Sequence, residues 1–214
     1  MLSGFGTAKA DFLVYEFSGV LPSGASQHSQ IEDGETWNAE FVIDTNVVDT
    51  SSLTYFGYYL SNVQSGLITF SGGYSQHLVV DGWNTLVFND AEVFIDGDIF
   101  NQALFDGVRI NPGPGSFPVV SAYNITPGSV NSTLDSENLP LAGTSFTSSG
   151  ANGQSQYQFN FEDQITGERV FYNSSQATNI SFAATAVIPE SSALAVIAMT
   201  ATIGILKRGN RRVI

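Results

Sequence analysis

The chain has two histidines, no cysteine and twenty acidic side chains, so any reaction it performs must be built from carboxylates, hydroxyls and two imidazoles. Ser75 and His77 are two apart, which on a strand puts them on one face. A nucleophile and a base without a placed acid or oxyanion donors do not make a triad, however. His28 has no such neighbour in sequence and reads as a satisfied or exposed ring. There is no Gly-x-Ser-x-Gly elbow, no His-Glu-x-x-His helix and no glycine-rich phosphate loop in the sequence. A pair of carboxylates acting on a polysaccharide stays open as a hydrolase alternative, because the fold and not the spacing sets the distance between them. The expected class is non-enzymatic.

Two binding chemistries remain. Asp90, Asp96, Asp98 and Asp106 fall within 17 residues. Asp96-Gly97-Asp98 at a turn can aim two hard oxygens at one calcium ion, with Asn101 nearby, although the spacing is not that of an EF-hand loop. The competing reading is plain Asp-Gly turn chemistry, and the cofactor expectation is none beyond a possible structural calcium. Trp83 follows Asp81-Gly82 in a loop-like setting where an exposed indole would stack on a sugar face, making a carbohydrate-binding module the first alternative function. Trp37 is in phase with Ala39, Phe41 and Ile43 and belongs to the core.

The elements that must position these residues are strands. Apolar residues alternate with polar ones in 37–44 and in 156–161, and similar runs occur at 12–18, 53–60, 66–71, 77–81, 85–89, 92–96, 104–110, 169–173 and 178–186. Turn signals separate them at Asp81-Gly82, Asn89-Asp90, Asp96-Gly97, Asp106-Gly107 and Thr166-Gly167. Residues 161–171 read as a hairpin, and 111–118 and 142–155 read as loops. No segment of the body has a sustained helical stripe. The expectation is an all-β, antiparallel β-sandwich of jelly-roll-like form in a single domain, residues 11–187, followed by a short C-terminal transmembrane helix.

Charge agrees with an exported body. Between residues 11 and 190 twenty acidic side chains face only Arg109 and Arg169, a net charge of −18. Such a surface repels nucleic acid, so no nucleic-acid partner is expected, and it attracts divalent cations. The absence of cysteine leaves stability to the core. Asn124, Asn131, Asn173 and Asn179 each open an Asn-x-Ser/Thr tripeptide, which the abundance of these residues explains without modification.

The C-terminal residues 188–214 are the most specific part of the chain. Pro189, Glu190 and Ser191 precede an uncharged stretch, residues 193–206, that includes Ala193, Leu194, Val196, Ile197, Ile203, Ile205 and Leu206. Lys207, Arg208, Arg211 and Arg212 follow it. Fourteen residues at about 1.5 Å each span roughly 21 Å as a helix, short of the roughly 30 Å of a bilayer's hydrocarbon core. That length also suits a helix packed inside a soluble fold. The lack of charge on any face and the adjoining cations favour a membrane anchor, with the basic end held in the cytoplasm and the body outside. At the other end, Ala8-Lys9-Ala10 has the small-x-small form of a signal peptidase site. Residues 1–10 read as the remnant of a signal peptide whose start lies upstream, and Asp11 as the first mature residue.

Box, apolar helix and basic end, closing a β-rich secreted chain, resemble the PEP-CTERM sorting signal of exopolysaccharide-producing Gram-negative bacteria. Ser191 stands where that pattern has proline. The resemblance implies that a membrane-embedded exosortase recognises Pro189, Glu190 and Ser191, that signal peptidase acts after Ala10, and that the body is left anchored in the cell envelope or released into an extracellular matrix beside polysaccharide. Tyr15 to Gly19 and the Gly34 to Thr45 strand are loosely similar to segments of other exported proteins with this signal. None of this brings a catalytic residue.

Overall fold

The computed structural model describes residues 12–21, 28–94, 102–112, 119–127, 134, 136–148, 156–163, 165–174 and 179–187. Among them the chain is all-β, with two antiparallel six-stranded sheets. The first sheet contains β1 (Phe12–Val20), β2 (Thr36–Asp44), β4 (Val63–Phe70), β5 (Ser75–Leu78), β9 (Ser145–Thr147) and β12 (Ser181–Ala186), in the order β5-β4-β2-β1-β12-β9. The second contains β3 (Phe56–Tyr59), β6 (Asn84–Phe94), β7 (Gln102–Asn111), β8 (Val120–Pro127), β10 (Gln156–Glu162) and β11 (Arg169–Ser174), in the order β11-β10-β8-β7-β6-β3.

Period-two alternation gives each sheet a dry face. Leu13, Tyr15 and Phe17 of β1 are buried while Val14, Glu16 and Ser18 are partly exposed, and β2 repeats the pattern with Trp37, Ala39, Phe41 and Ile43. Val87, Val108, Ile110, Val120, Phe159, Val170 and Tyr172 answer from the second sheet, and all of these residues form one core cluster. Edge-to-face rings join the sheets: the Trp37 and Phe159 centroids lie 5.0 Å apart at 79°, and those of Phe70 and Phe159 lie 6.3 Å apart at 87°. Trp37 is therefore core, as its phase required.

The structure corrects several local expectations. Asn89-Asp90 is no turn, because β6 runs through it and absorbs it as a bulge where the register slips between Phe88 and Ala91. A bulge leaves residues out of the ladder, and so the expected strand 85–89 and the described part of 92–96, up to Phe94, are one. Asp106-Gly107 lies inside β7, paired with Asn124 and Tyr123. β8 was not foreseen, since small and polar residues dilute its alternation. Within the expected loop 142–155, Ser145–Thr147 adds an edge strand onto β12. The expected turns at Asp81-Gly82 and Thr166-Gly167 are present, and Gly82 and Gly167 take φ of 72° and 73°, which a Cβ would resist. The hairpin of β10 and β11 is also as read.

Gly19 lies flat under the Trp37 indole, where a Cβ would come 2.6 Å from a ring carbon. Gly19→Ala is expected to lower stability by about 1–3 kcal/mol through overpacking, measured by urea unfolding. A change within about 0.5 kcal/mol, the usual range for neutral surface substitutions, would mean that the indole has room to move.

Candidate functional site

The most elaborate polar cluster sits where the segment after β1 meets the β10–β11 hairpin. His28 is buried, and its Nε2 lies 3.2 Å from Asp163 Oδ2 and 3.4 Å from Glu168 Oε2. The Gln30 N–H donates to Nδ1 at 3.2 Å, so in the neutral ring the proton is on Nε2 and is given to Asp163. Ser29 donates to Glu168 Oε2 twice, from Oγ at 2.6 Å and from its N–H at 3.3 Å. The Tyr74 ring packs on the imidazole at a centroid distance of 4.6 Å, and its hydroxyl donates to Gln76 Oε1 at 2.6 Å.

Hairpin geometry holds Asp163 in place. Its Oδ1 accepts the N–H groups of Ile165 at 2.7 Å and Thr166 at 3.1 Å, while its own N–H donates to the Glu168 carbonyl at 2.8 Å. Those two backbone donors, more than the His28 contact, hold its carboxyl down at about 2. Glu168 is lowered too, first by the Ser29 hydroxyl and N–H. The Tyr74 hydroxyl is raised, mainly by burial and then by Asp163.

These are the residue types of a serine hydrolase with different wiring. Ser29 donates to Glu168 and not to His28, so no base is placed on the hydroxyl. Both ring nitrogens are engaged, leaving no lone pair free for a metal or for proton abstraction. Among the described residues no group of three His, Asp or Glu side chains is arranged to hold a metal ion. The arrangement is a clamp that fastens the 28–31 segment to a hairpin more than 130 residues away in sequence. Sequence reading passed over it because nothing local marks His28 as a partner of Asp163.

A second feature lies at the other end of β1. A groove of about 810 Å³ is lined by Leu13, Val47, Val48, Tyr59, Leu139 and Leu141, among others, with Asp49 on its wall. Its far wall, residues 136–144, is tied back in several places. Tyr15 Oη donates to the Pro140 carbonyl at 3.0 Å, Tyr59 Oη donates to the Glu137 carbonyl at 3.3 Å, and Gly143 N–H donates to the Ala184 carbonyl at 2.8 Å. Gly57 lets β3 approach so closely that a Cβ there would collide with the Glu137 carbonyl. Burial, more than the nearby Asp49 and Glu137 charges, pushes Tyr59 up to about 12.

The sequence-derived candidates distribute as follows. Ser75 and His77 are exposed on one face of the edge strand β5. Trp83 is half-buried against the core, its ring centroid 6.2 Å from that of Phe41. The backbones of Asp90 and Asp106 are in β6 and β7, whereas Asp96 and Asp98 lie outside the described residues. So do Ala8 and Ala10, the box Pro189, Glu190 and Ser191, the apolar stretch 193–206 and the cations Lys207, Arg208, Arg211 and Arg212. No described helix is long and apolar enough to cross a membrane. Compared with known protein families, curated proteins and solved structures, the chain matches none.

The clamp makes stability depend on acid. A carboxyl held at about 2 when folded, against an ordinary 3.8, stabilises the fold above the higher value and loses that contribution as pH falls from about 4 toward 2. Glu168 acts in the same direction. Thermal midpoints of the wild type are expected to fall across that window. Asp163→Asn, which keeps an acceptor for the turn but removes the charge, is expected to lower the midpoint at neutral pH and to flatten the acid limb. Parallel pH profiles for the two proteins would show that the Asp163 charge does not hold the clamp.

Proposed function

We propose that the chain is an exported, acidic, non-enzymatic protein of a bacterial cell surface or extracellular matrix, sorted by a PEP-CTERM-like signal that an exosortase processes. The observation that carries this reading is the order along residues 189–212: a Pro-Glu-Ser box, an uncharged apolar stretch, then four cations. Pro189 interrupts regular structure at the box, the apolar stretch holds the box at the membrane, and the cations set the orientation.

The body is compatible with cutting at both ends. β1 begins at Phe12, two residues after Ala10, and β12 ends at Ala186, three residues before Pro189. These two strands are hydrogen-bonded neighbours, and the Val187 N–H reaches the Phe12 carbonyl at 3.4 Å. Cleavage after Ala10 and near Glu190 would therefore remove none of the described strands. The two sheets are read as a sandwich whose jelly-roll character is the pairing of its first and last strands. Most other neighbours are consecutive hairpins. The wiring of His28 favours a structural over a catalytic use of that residue.

Intact masses from the membrane and extracellular fractions of the native host test the reading. The expected matrix form begins at Asp11 and ends near Pro189 or Glu190. A product that retains Ile214 and is found only in the cytosol would overturn both the export and the sorting assignments.

A further inference from the structure

The groove beside Leu13 lies at the end of the body where the chain leaves β12. Leu13 pairs with Ala186, and Val187 is bonded to Phe12, so the last described residue stands next to the groove's β1 wall. We infer that this groove is a docking site for the apolar stretch 193–206 of the same chain, which shields it from water before the membrane takes it up. The inference rests on the reading of 193–206 as an exported apolar segment.

Four observations favour this occupant. The first is reach: six residue steps separate Val187 from Ala193, at most about 20 Å when extended, so a tether of this length keeps the stretch beside the groove at high effective concentration. The second is size. A groove of about 810 Å³ lies within the range of roughly 300–1,000 Å³ for sites that bury a ligand, and suits one face of a helix. Leu194, Ile197, Ala201 and Ile205 supply such a face at helical spacing.

The third is the groove's chemistry. Its rim exposes apolar side chains that water penalises, Val48 at 77% and Leu141 at 65% exposure, and they are among the most exposed large hydrophobics of the described residues. The fourth is charge. Asp49 lines the groove, and Asp44 and Glu137 adjoin its lining residues. Lys207, Arg208, Arg211 and Arg212 immediately follow the apolar stretch, so seating it brings four cations against an acidic body. Among the described residues, the opposite end of the body, where the His28 clamp sits, has neither the exit from β12 nor this lining.

Docking and membrane insertion compete for the same side chains. A stretch of 14 residues is too short to span a bilayer without local thinning, so a protein groove is a credible rival for it. Transfer from groove to lipid would then be reversible until the box is cut.

The absence of cysteine allows a direct test on the full chain in detergent-free buffer, using a short bismaleimide cross-linker. Val48→Cys combined with Ile197→Cys is expected to cross-link within one chain at least about tenfold faster than the control pair Ile165→Cys with Ile197→Cys. Ile165 is 95% exposed and sits on the hairpin tip at the far end of the body, so tethering alone favours it less. Adding Leu141→Glu at the groove is expected to slow the groove pair several-fold while leaving the control pair unchanged, and an unchanged groove rate would mean that the tether alone sets it. Equal rates for the groove and control pairs would overturn the inference. So would cross-links whose yield rises with protein concentration, since the groove would then be taking the segment of a second copy.

Vesicles of phosphatidylethanolamine and phosphatidylglycerol separate this inference from the sorting reading. Fast cross-linking in buffer that slows as the chain floats with the vesicles supports both. Fast cross-linking that persists while the chain fails to float keeps the docking and overturns the anchor. Slow cross-linking in buffer overturns the docking even if the chain floats.

Discussion

β1 is the strand on which the rest of the body depends, because it is hydrogen-bonded along both edges. β2 covers one edge over its whole length, and β12 covers the other from Leu13 to Ser18. Its inward side chains, Leu13, Tyr15 and Phe17, are buried, and the Tyr15 and Phe17 rings each lie 5.2 Å from that of Phe182 on β12. The strand brings the first described residue, Phe12, beside the last, Val187. Unlike a disulfide, this pairing is lost when the chain unfolds, so it holds the ends only together with the core.

A net charge of −18 between residues 11 and 190 means that attraction between opposite charges contributes little to the cohesion of the body. The carboxylates that are used structurally are neutralised by backbone donors. Asp163 takes N–H groups from Ile165 and Thr166, Asp49 takes them from Ser51 and Tyr58 at 2.8 Å each, and Glu35 takes them from Glu32 and Gly72 at 2.8 Å each. Each of these acids caps a turn or loop, where unpaired N–H groups would otherwise face water. Acidity is thus reconciled with folding by placing the charge where the backbone offers donors, and the aromatic core carries the rest of the stabilisation.

Strand identity was legible wherever bulky residues alternate, as in Trp37 to Ile43 and Tyr157 to Phe161, because burial of one face leaves a period of two in the sequence. It was lost in β8, where Ser121, Ala122 and Asn124 dilute the alternation, and in β9, which is held by three residues pairing with β12. Asp-Gly and Asn-Asp pairs misled for a physical reason. The same polar, permissive residues that make a tight turn also suit a bulge or a position inside a long twisted strand, and only tertiary pairing decides between them, as at Asn89-Asp90 and Asp106-Gly107. The clamp was illegible because His28 and Asp163 meet only through the fold. The groove was illegible too, since Leu13, Val48, Tyr59 and Leu141 come from four separate segments.

The two ends of the two-sheet body therefore have different physical characters. At the His28 end, His28 is paired with Asp163 and Ser29 with Glu168, and the sensitivity of that cluster is to protons. At the Leu13 end, apolar side chains from the loop after β2 and from residues 136–144 are left partly in water, while backbone and tyrosine hydroxyl bonds keep the groove's walls from collapsing onto each other. A groove partly lined by apolar side chains persists only if its walls are tied by something other than the contacts it offers. Tyr15, Tyr59 and Gly143 tie them here. The chain leaves the body beside that groove, and its most water-averse stretch begins a few residues later, so the feature hardest to explain in the body and the feature hardest to keep in water beyond it stand within reach of one another.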